Sequence, residues 1–363
     1  MTVKSNSRRR FLVGAAAGSA AAASALPAPA IAQGNVRWKM VTTWPKNFPG
    51  LGTGAQRVVD RIKTMSDGRM DIRLFAAGEL VPAFEAFDAV REGIAEMSHD
   101  ASYYWVAKHK STPFFCTVPG GLTHQEHMGW IYHGGGQKLW DELYAEFGLK
   151  AFLAGGSGVQ MGGWFQKEIN GLDDLKGLKM RMPGLGAEVL NRLGVTAVNM
   201  PGGEIMPALQ SGVIDATEWV GPWNDLAFGF HKIAKYYYGP GFHEPSSSIE
   251  VIVSKDKYEE LPKDLQAIVE AACTAETSYT LSEFTAGNSA AQTKLVEVHG
   301  VKIGNFPKDV VKAMFAVSHD VVSETANEGE LAKRIYESWA KFRAESVARA
   351  PFAEQGYMND RAT

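Results

Sequence analysis

Val36-Arg37-Trp38-Lys39-Met40-Val41-Thr42 alternates apolar and polar side chains, the period of a strand with one buried face. From Leu51 to Met65 the spacing changes: Val58, Val59, Ile62 and Met65 share one helical face, and Asp67-Gly68 ends the helix. Met70 to Phe75 alternates again, residues 84–92 read as a helix and 94–99 as a short strand. Strand, helix, strand, helix predicts an α/β lobe with a largely parallel sheet. A second series opens near Lys150. Ala151–Ala154, Gly162–Phe165, Leu178–Met182 and Val195–Val198 read as strands, with helices over Gly186–Leu193 and Gly203–Gln210. Gly194 stands in C-cap position for the first of these helices, and Ser211-Gly212 closes the second. Two such series predict two lobes facing a cleft.

Tyr236-Tyr237-Tyr238-Gly239-Pro240-Gly241 reads as a crossover between the lobes. Leu261 to His299 holds one proline, Pro262 at its very start, and one glycine, Gly287, so a long helix is expected to brace both lobes. A last amphipathic helix covers Glu330 to Ser346, with Leu331, Ile335, Trp339 and Phe342 at helical spacing.

The N-terminus follows another logic. Residues 5–32 carry a basic start, an Ala-, Gly-, Val- and Leu-rich run, then small residues ending in Ala28-Pro29-Ala30-Ile31-Ala32, the pattern of a cleaved export signal. Ser7-Arg8-Arg9-Arg10-Phe11-Leu12 fits the twin-arginine (Tat) pattern S-R-R-x-F-L. The apolar run from Phe11 to Leu26 falls short of the roughly 20 residues that span a bilayer. Residues 1–32 are therefore expected to be a Tat-type signal peptide that delivers a folded protein to the periplasm. Cutting there removes Lys4, Arg8, Arg9, Arg10 and no acid from a chain of net charge −3, leaving −7.

The 363 residues, 45% hydrophobic and 21% charged, exclude a disordered chain, and the length suits two lobes better than one core. No basic block beyond the extreme N-terminus invites nucleic acid. Cys116 and Cys273 are too few for a disulfide framework or a thiolate metal site.

Enzyme motifs fail one by one. Gly155-Gly156-Ser157-Gly158-Val159 approaches a nucleophile elbow, but Val159 stands where the motif needs glycine. Gly50-Leu51-Gly52-Thr53-Gly54 lacks dinucleotide-binding spacing, and there is no phosphate-binding GK[ST]. His124-Gln125-Glu126-His127 does not place its histidines at i, i+4 and reads as a solvated helix start. His99, His133 and His243 are scattered and read as structural, and neither cysteine has an activating base nearby in sequence.

Two segments combine charge, aromatic bulk and glycine beyond what a core needs. Arg181 ends a strand just before Pro183-Gly184, where open α/β sheets bind ligands. Glu218 follows an apolar strand-like run and precedes Trp219.

The Tat-type signal, Ala77 to Pro82, Val159 to Phe165, Gly177 to Arg181 and Ile214 to Pro222 together resemble the extracytoplasmic substrate-binding proteins of TRAP transporters, the tripartite ATP-independent periplasmic carriers. The resemblance spans residues 33–350. Leu175 to Arg181 matches the general family mark L-x-G-x-K-x-R. The VQMGGWF and IDATEWVGP segments look like the branch that binds 2-oxo and 2-hydroxy monocarboxylates with a metal ion.

The resemblance implies a two-lobed α/β binding protein, not an enzyme, that serves TRAP membrane subunits. It implies lobe I at 33–158 with 247–288, and lobe II at 159–246 with 289–363. Arg181 is then expected to grip the substrate carboxylate through its planar guanidinium. Gln160, Glu218 and the backbone carbonyl of Trp219 are expected to hold the cation, with Glu244 as a further ligand and Glu250 as its alternative. An all-oxygen shell suits Na⁺ or Ca²⁺. Tyr103 or Tyr104 is expected to donate a hydroxyl, and Trp219 and Trp223 to wall the pocket. Ser157 stands where the branch carries an Asn-Thr pair, and Pro245-Ser246-Ser247-Ser248 also departs from it. A homodimer is a further expectation, with a tail ending soon after Phe352 to Gln355. The competing ligand class is a dicarboxylate or sugar acid bound without metal. An exported metal-dependent enzyme is the competing function.

Overall fold

A computed structural model describes residues 35–363, so the expected signal peptide lies outside the described residues. Eleven strands form among them: β1 (Val36–Thr42), β2 (Met70–Phe75), β3 (Met97–Asp100), β4 (Leu149–Gly156), β5 (Gly163–Phe165), β6 (Lys179–Arg181), β7 (Thr196–Val198), β8 (Ala216–Thr217), β9 (Tyr236–Tyr238), β10 (Ser248–Ser254) and β11 (Lys302–Gly304). The alternation seen at the start of the chain works as expected: Trp38 and Met40 are buried while Arg37 is exposed.

Two sheets result, with strand orders β2-β1-β3-β10-β4 and β11-β9-β5-β8-β6-β7. Each is largely parallel, with a single strand reversed. In the first, β1 runs parallel to β2 and β3, but β10 is antiparallel to both β3 and β4. In the second, β6 is parallel to β7 and β8, whereas β5 opposes β8 and β9. The strand that spoils the pattern in the first sheet is β10, which returns from the second sheet and enters against its neighbours.

Tyr236–Tyr238 is itself a strand of the second sheet, not the crossover. Tyr237 stacks on Trp164 at 3.9 Å between ring centroids, and Tyr238 stacks on Phe306 at 4.9 Å. Aromatic residues favour pleated, half-buried surfaces, and here that preference decides the matter. The connection to the first sheet is the stretch after it, 239–247.

The long helix runs from Lys263 to Glu297. It begins after Pro262, packs on β4 and is tied to the helix Gly52–Met65, where Arg57 donates to the buried Glu276 at 2.7 and 3.1 Å and Arg61 joins the same carboxylate. Pairing makes a buried carboxylate tolerable. Further along, Phe284 meets Trp223 edge-on at 5.5 Å and Asn288 Oδ1 accepts the Trp223 N–H at 3.0 Å. Gly287 breaks nothing; a Cβ there would lie 2.6 Å from the Trp223 ring, so glycine gives the indole its seat. The helix thus braces both lobes of a mixed α/β fold. The last long helix, Glu330–Arg349, buries Ile335 and Trp339, the latter against Phe114 at 5.3 Å. No helix among the described residues is long and apolar enough to cross a membrane.

Candidate functional site

Arg181 closes β6 and is completely buried. Residue 182 leaves the strand and the chain turns at Gly184, whose left-handed φ of 57° favours glycine and where an added Cβ would stand 3.1 Å from the Tyr103 Cβ, a tight contact. This close approach lays the end of β6 against the turn Ser102–Trp105 of the first lobe. Glu218 follows β8, the parallel neighbour of β6, so two strand ends deliver opposite charges side by side. Arg181 Nη1 pairs with Glu218 Oε1, Nε donates to the Met200 carbonyl at 3.3 Å, and the guanidinium carbon lies 5.0 Å from the Trp219 ring centre. Burial is the largest single influence and works against the Arg181 charge, but Glu218, Tyr104, Tyr103 and Glu244 together outweigh it and hold the guanidinium above its ordinary value.

Glu244 arrives from the crossover and is also buried. Its backbone carbonyl accepts the Gln160 N–H at 3.1 Å, and the Gly241 N–H donates back to Gln160 at 2.8 Å. Gln160 is thereby gripped by the crossover on one side, while the next residue, Met161, donates its N–H to Val220 at 3.1 Å on the other. Burial first, then the Glu218 charge, push the Glu244 carboxyl well above the usual carboxylate range. His243 completes the group: Nε2 stands 3.3 Å from Glu218 Oε2 and 3.9 Å from Glu244 Oε1, and Glu218, His243 and Glu244 bring ligand atoms within 4.8 Å of one another. Its neighbour Glu244 was the one available signal for His243, whose part in the cluster depends on the fold of the crossover.

Beside this cluster lies a small cavity, lined by Trp44, Leu51, Tyr103, Tyr104, Ser157, Gln160, Trp219, Val220, Ser247 and Ile249. Trp219 meets Trp44 and Phe48 edge-on at 6.2 and 6.3 Å, sealing one wall. Burial, then Glu244, hold the Tyr103 hydroxyl well above its ordinary value, so it stays a hydrogen-bond donor.

Several buried polar atoms here have no hydrogen-bond partner among the described residues: Gln160 Oε1 and both Glu244 oxygens are unmet acceptors, Arg181 Nη2 and Trp219 Nε1 are unmet donors, and His243 Nδ1 is unmet as well. Buried polar groups are satisfied in the large majority of cases, so such a concentration marks a binding site.

Other expectations land elsewhere. Trp223 faces Phe284 and the long helix and is not among the residues that line the cavity. Glu250 sits opposite Asp100 across β10 and β3, accepting from Trp105 at 2.9 Å and Tyr144 at 2.9 and 3.1 Å, so Glu244 alone joins the cluster. His124 and His127 are buried, not solvated: they hydrogen-bond with Ser246 and Ser248 at 3.1 and 2.9 Å, and burial pushes both down to about 4. His99 is likewise structural, accepting from Trp44 at 2.8 Å. Cys116 and Cys273 are buried free thiols. Burial pushes the Cys116 thiol up, and its sulfur lies 3.2 Å from the Ser247 hydroxyl.

Residues 40–328 match the family described as bacterial extracellular solute-binding protein, family 7. The chain is 42% identical over 325 residues to the monocarboxylate 2-oxoacid-binding periplasmic protein of Nostoc sp., covering 90% of this chain and 89% of that one. A TRAP transporter solute-binding protein of Bordetella bronchiseptica, a mixed-occupancy dimer with co-purified calcium and picolinate, superposes with a TM-score of 0.88 at 38% identity over 90% of this chain and 97% of that one. A TRAP periplasmic solute-binding protein of Pseudoalteromonas atlantica with bound sodium and pyruvate gives 0.86 at 41% identity, over 90% and 99%.

Proposed function

The chain belongs to family 7 of the bacterial extracellular solute-binding proteins, the solute-binding components of TRAP transporters, and we propose that it captures a small 2-oxo or 2-hydroxy monocarboxylate, pyruvate- or lactate-like, together with Na⁺ or Ca²⁺ for delivery to the membrane subunits. The observation that carries this reading is the pairing of unmet acceptors with unmet donors around one small cavity. A cation answers the acceptors and a carboxylate answers the donors.

Arg181 offers Nη2 to the substrate carboxylate, with its other nitrogens already engaged by Glu218 and Met200. A charge-assisted hydrogen bond in an enclosed site contributes roughly 1.5–3 kcal/mol. Tyr103 or Tyr104 donates from the first lobe. Gln160 Oε1, Glu218, Glu244 and the carbonyl of Trp219 are the cation's protein ligands. This oxygen set fits a hard cation, and His243 Nε2, which faces the cluster, is engaged by Glu218. The cation supplies the positive charge that lets Glu244 remain ionised beside Glu218. A dicarboxylate would bring a further negative charge into a site that already holds the carboxyl groups of Glu218 and Glu244.

Strands β1–β4 and β10 fall within 33–158 and 247–288, and β5–β9 and β11 within 159–246 and 289–363, which supports those limits for lobes I and II. Ligand and cation touch groups of both lobes, so they favour the closed arrangement that the membrane subunits would read. Binding without chemical change fits the site, and export by the Tat route through residues 1–32 completes the reading. A homodimer is part of the proposal, supported by the dimeric Bordetella relative and by the exposed Phe352, Tyr357 and Met358.

The test is calorimetric titration of the purified protein with pyruvate in Ca²⁺, in Na⁺ and in a chelated, sodium-free buffer. Binding should need a cation. Equal affinity in all three buffers overturns the cation assignment, and no heat with any small 2-oxo or 2-hydroxy acid overturns the ligand class.

A further inference from the structure

Ser157 stands at the end of β4, buried, and lines the cavity together with Gln160 and Ser247. Its hydroxyl donates to the Gly158 carbonyl at 2.9 Å, and its oxygen accepts the Ser247 N–H at 2.9 Å and the Gln160 Nε2–H at 3.1 Å. A hydroxyl has one proton and two lone pairs, so Ser157 has nothing left to offer. That count sets the orientation of the Gln160 amide. With the proton committed to Gly158, a reversed amide would turn its carbonyl oxygen against the serine lone pairs. Nε2 therefore faces Ser157, and Oε1 is left buried, without a partner, toward the cavity.

The frame around this hydroxyl is rigid. Ser246 and Ser248, on either side of Ser247, are held by His124 and His127, and Ser247 Oγ rests against Cys116. The serine run is thus a buried anchor, and Ser157 is the point where the first lobe, the crossover and Gln160 meet.

We propose that Ser157 is a positioning residue that presents the carbonyl oxygen of Gln160, rather than its NH₂ group, to the cation. The inference rests on the cation-dependent reading above. Without the serine, the amide turns freely and an NH₂ group facing the cation repels it.

The experiment is titration with Ca²⁺ at saturating pyruvate, run on wild type, Ser157→Ala, Gln160→Glu, the double variant and Ser157→Thr, with melting of each ligand-free protein followed by circular dichroism. Ser157→Ala should weaken Ca²⁺ about tenfold, and Ser157→Thr should restore it. In the Gln160→Glu background, where either end of the side chain is an acceptor, Ser157→Ala should cost less than twofold. An equal loss in both backgrounds, or no loss in either, overturns the inference. Wild-type binding of pyruvate that ignores Ca²⁺ overturns the cation reading and this inference with it, and the wild-type titration alone identifies that case. Should Ser157→Ala not fold, the side-chain amide resonances of Gln160 in ligand-free wild type decide: protection from solvent exchange is expected, and a freely exchanging pair overturns the orientation.

Discussion

Glu218 is joined to Arg181 three times: its carboxylate pairs with the guanidinium, its carbonyl accepts from Arg181 Nη1 at 3.3 Å, and its peptide N–H donates to the Arg181 carbonyl at 3.3 Å. Neither charge can swing away without disturbing the strands that carry them. The pair is therefore a fixed dipole at the sheet edge, with one guanidinium nitrogen left over for a ligand.

Arg181→Lys separates charge from geometry. Lysine keeps the positive charge beside Glu218 but loses the fork and the fixed spare donor. Pyruvate affinity should fall at least tenfold, while the ligand-free melting temperature falls less than in Arg181→Ala, which strands a buried carboxylate at about 3–5 kcal/mol. Calorimetry with thermal melts checks both. Unchanged affinity in the lysine variant would remove Arg181 from the ligand site.

The two buried crossover-side acids should behave differently. Glu244 has two unmet oxygens beside Glu218, whereas Glu250 is engaged by Trp105 and Tyr144 and stands across from Asp100. Glu244→Gln should lower Ca²⁺ affinity at least tenfold. Glu250→Gln should change it less than twofold. The reverse order would move the cation into the first lobe.

What the chain revealed in advance follows from how each feature is encoded. Arg181 and Glu218 stood out as charges at strand ends beside Pro-Gly or Trp, but it was the family resemblance that gave them a role; the long helix was legible because breakers are missing from one stretch. Ser157, His124 and His127 were not. Their roles arise from contacts 90 to 122 residues apart in sequence, which no local period reports. Trp44, Leu51 and Ile249 line the cavity, yet no charge or spacing in the sequence sets them apart. The direction of β10 was hidden for a related reason: alternation identifies a strand, while its sense depends on the path of the crossover.

Cation removal should be visible in stability as well as affinity. A ligand bound only by the native state at 100 times its Kd adds about 2.7 kcal/mol. Pyruvate at that excess should raise Tm by several degrees in Ca²⁺, and the increment should vanish on chelation because acid and cation complete each other's contacts. A pyruvate-induced rise that survives chelation would separate the two ligands.

Asp225 makes stability depend on pH without touching the ligand. It is buried under the cavity wall, where one oxygen accepts from Trp164 at 2.8 Å and Tyr237 at 2.6 Å and the other accepts the Val220 N–H at 3.2 Å. Burial pushes the carboxyl up to about 7, with the three hydrogen bonds only partly opposing. An unfolded aspartate titrates near 3.9. Between those values the native state keeps a proton that the unfolded chain has lost, so unfolding free energy falls by about 1.4 kcal/mol per pH unit as pH rises. Below the window both states are protonated, and above it both are ionised, so the slope flattens at each end. Asp100, raised to about 6 mainly by burial, acts in the same direction over a shorter range. Asp225→Asn should therefore remove about one proton from the slope between pH 4 and 7 and leave the slope above pH 8 unchanged. Denaturant unfolding of ligand-free wild type and variant across that range checks it; parallel curves would mean that Asp225 is already ionised in the native protein at pH 5.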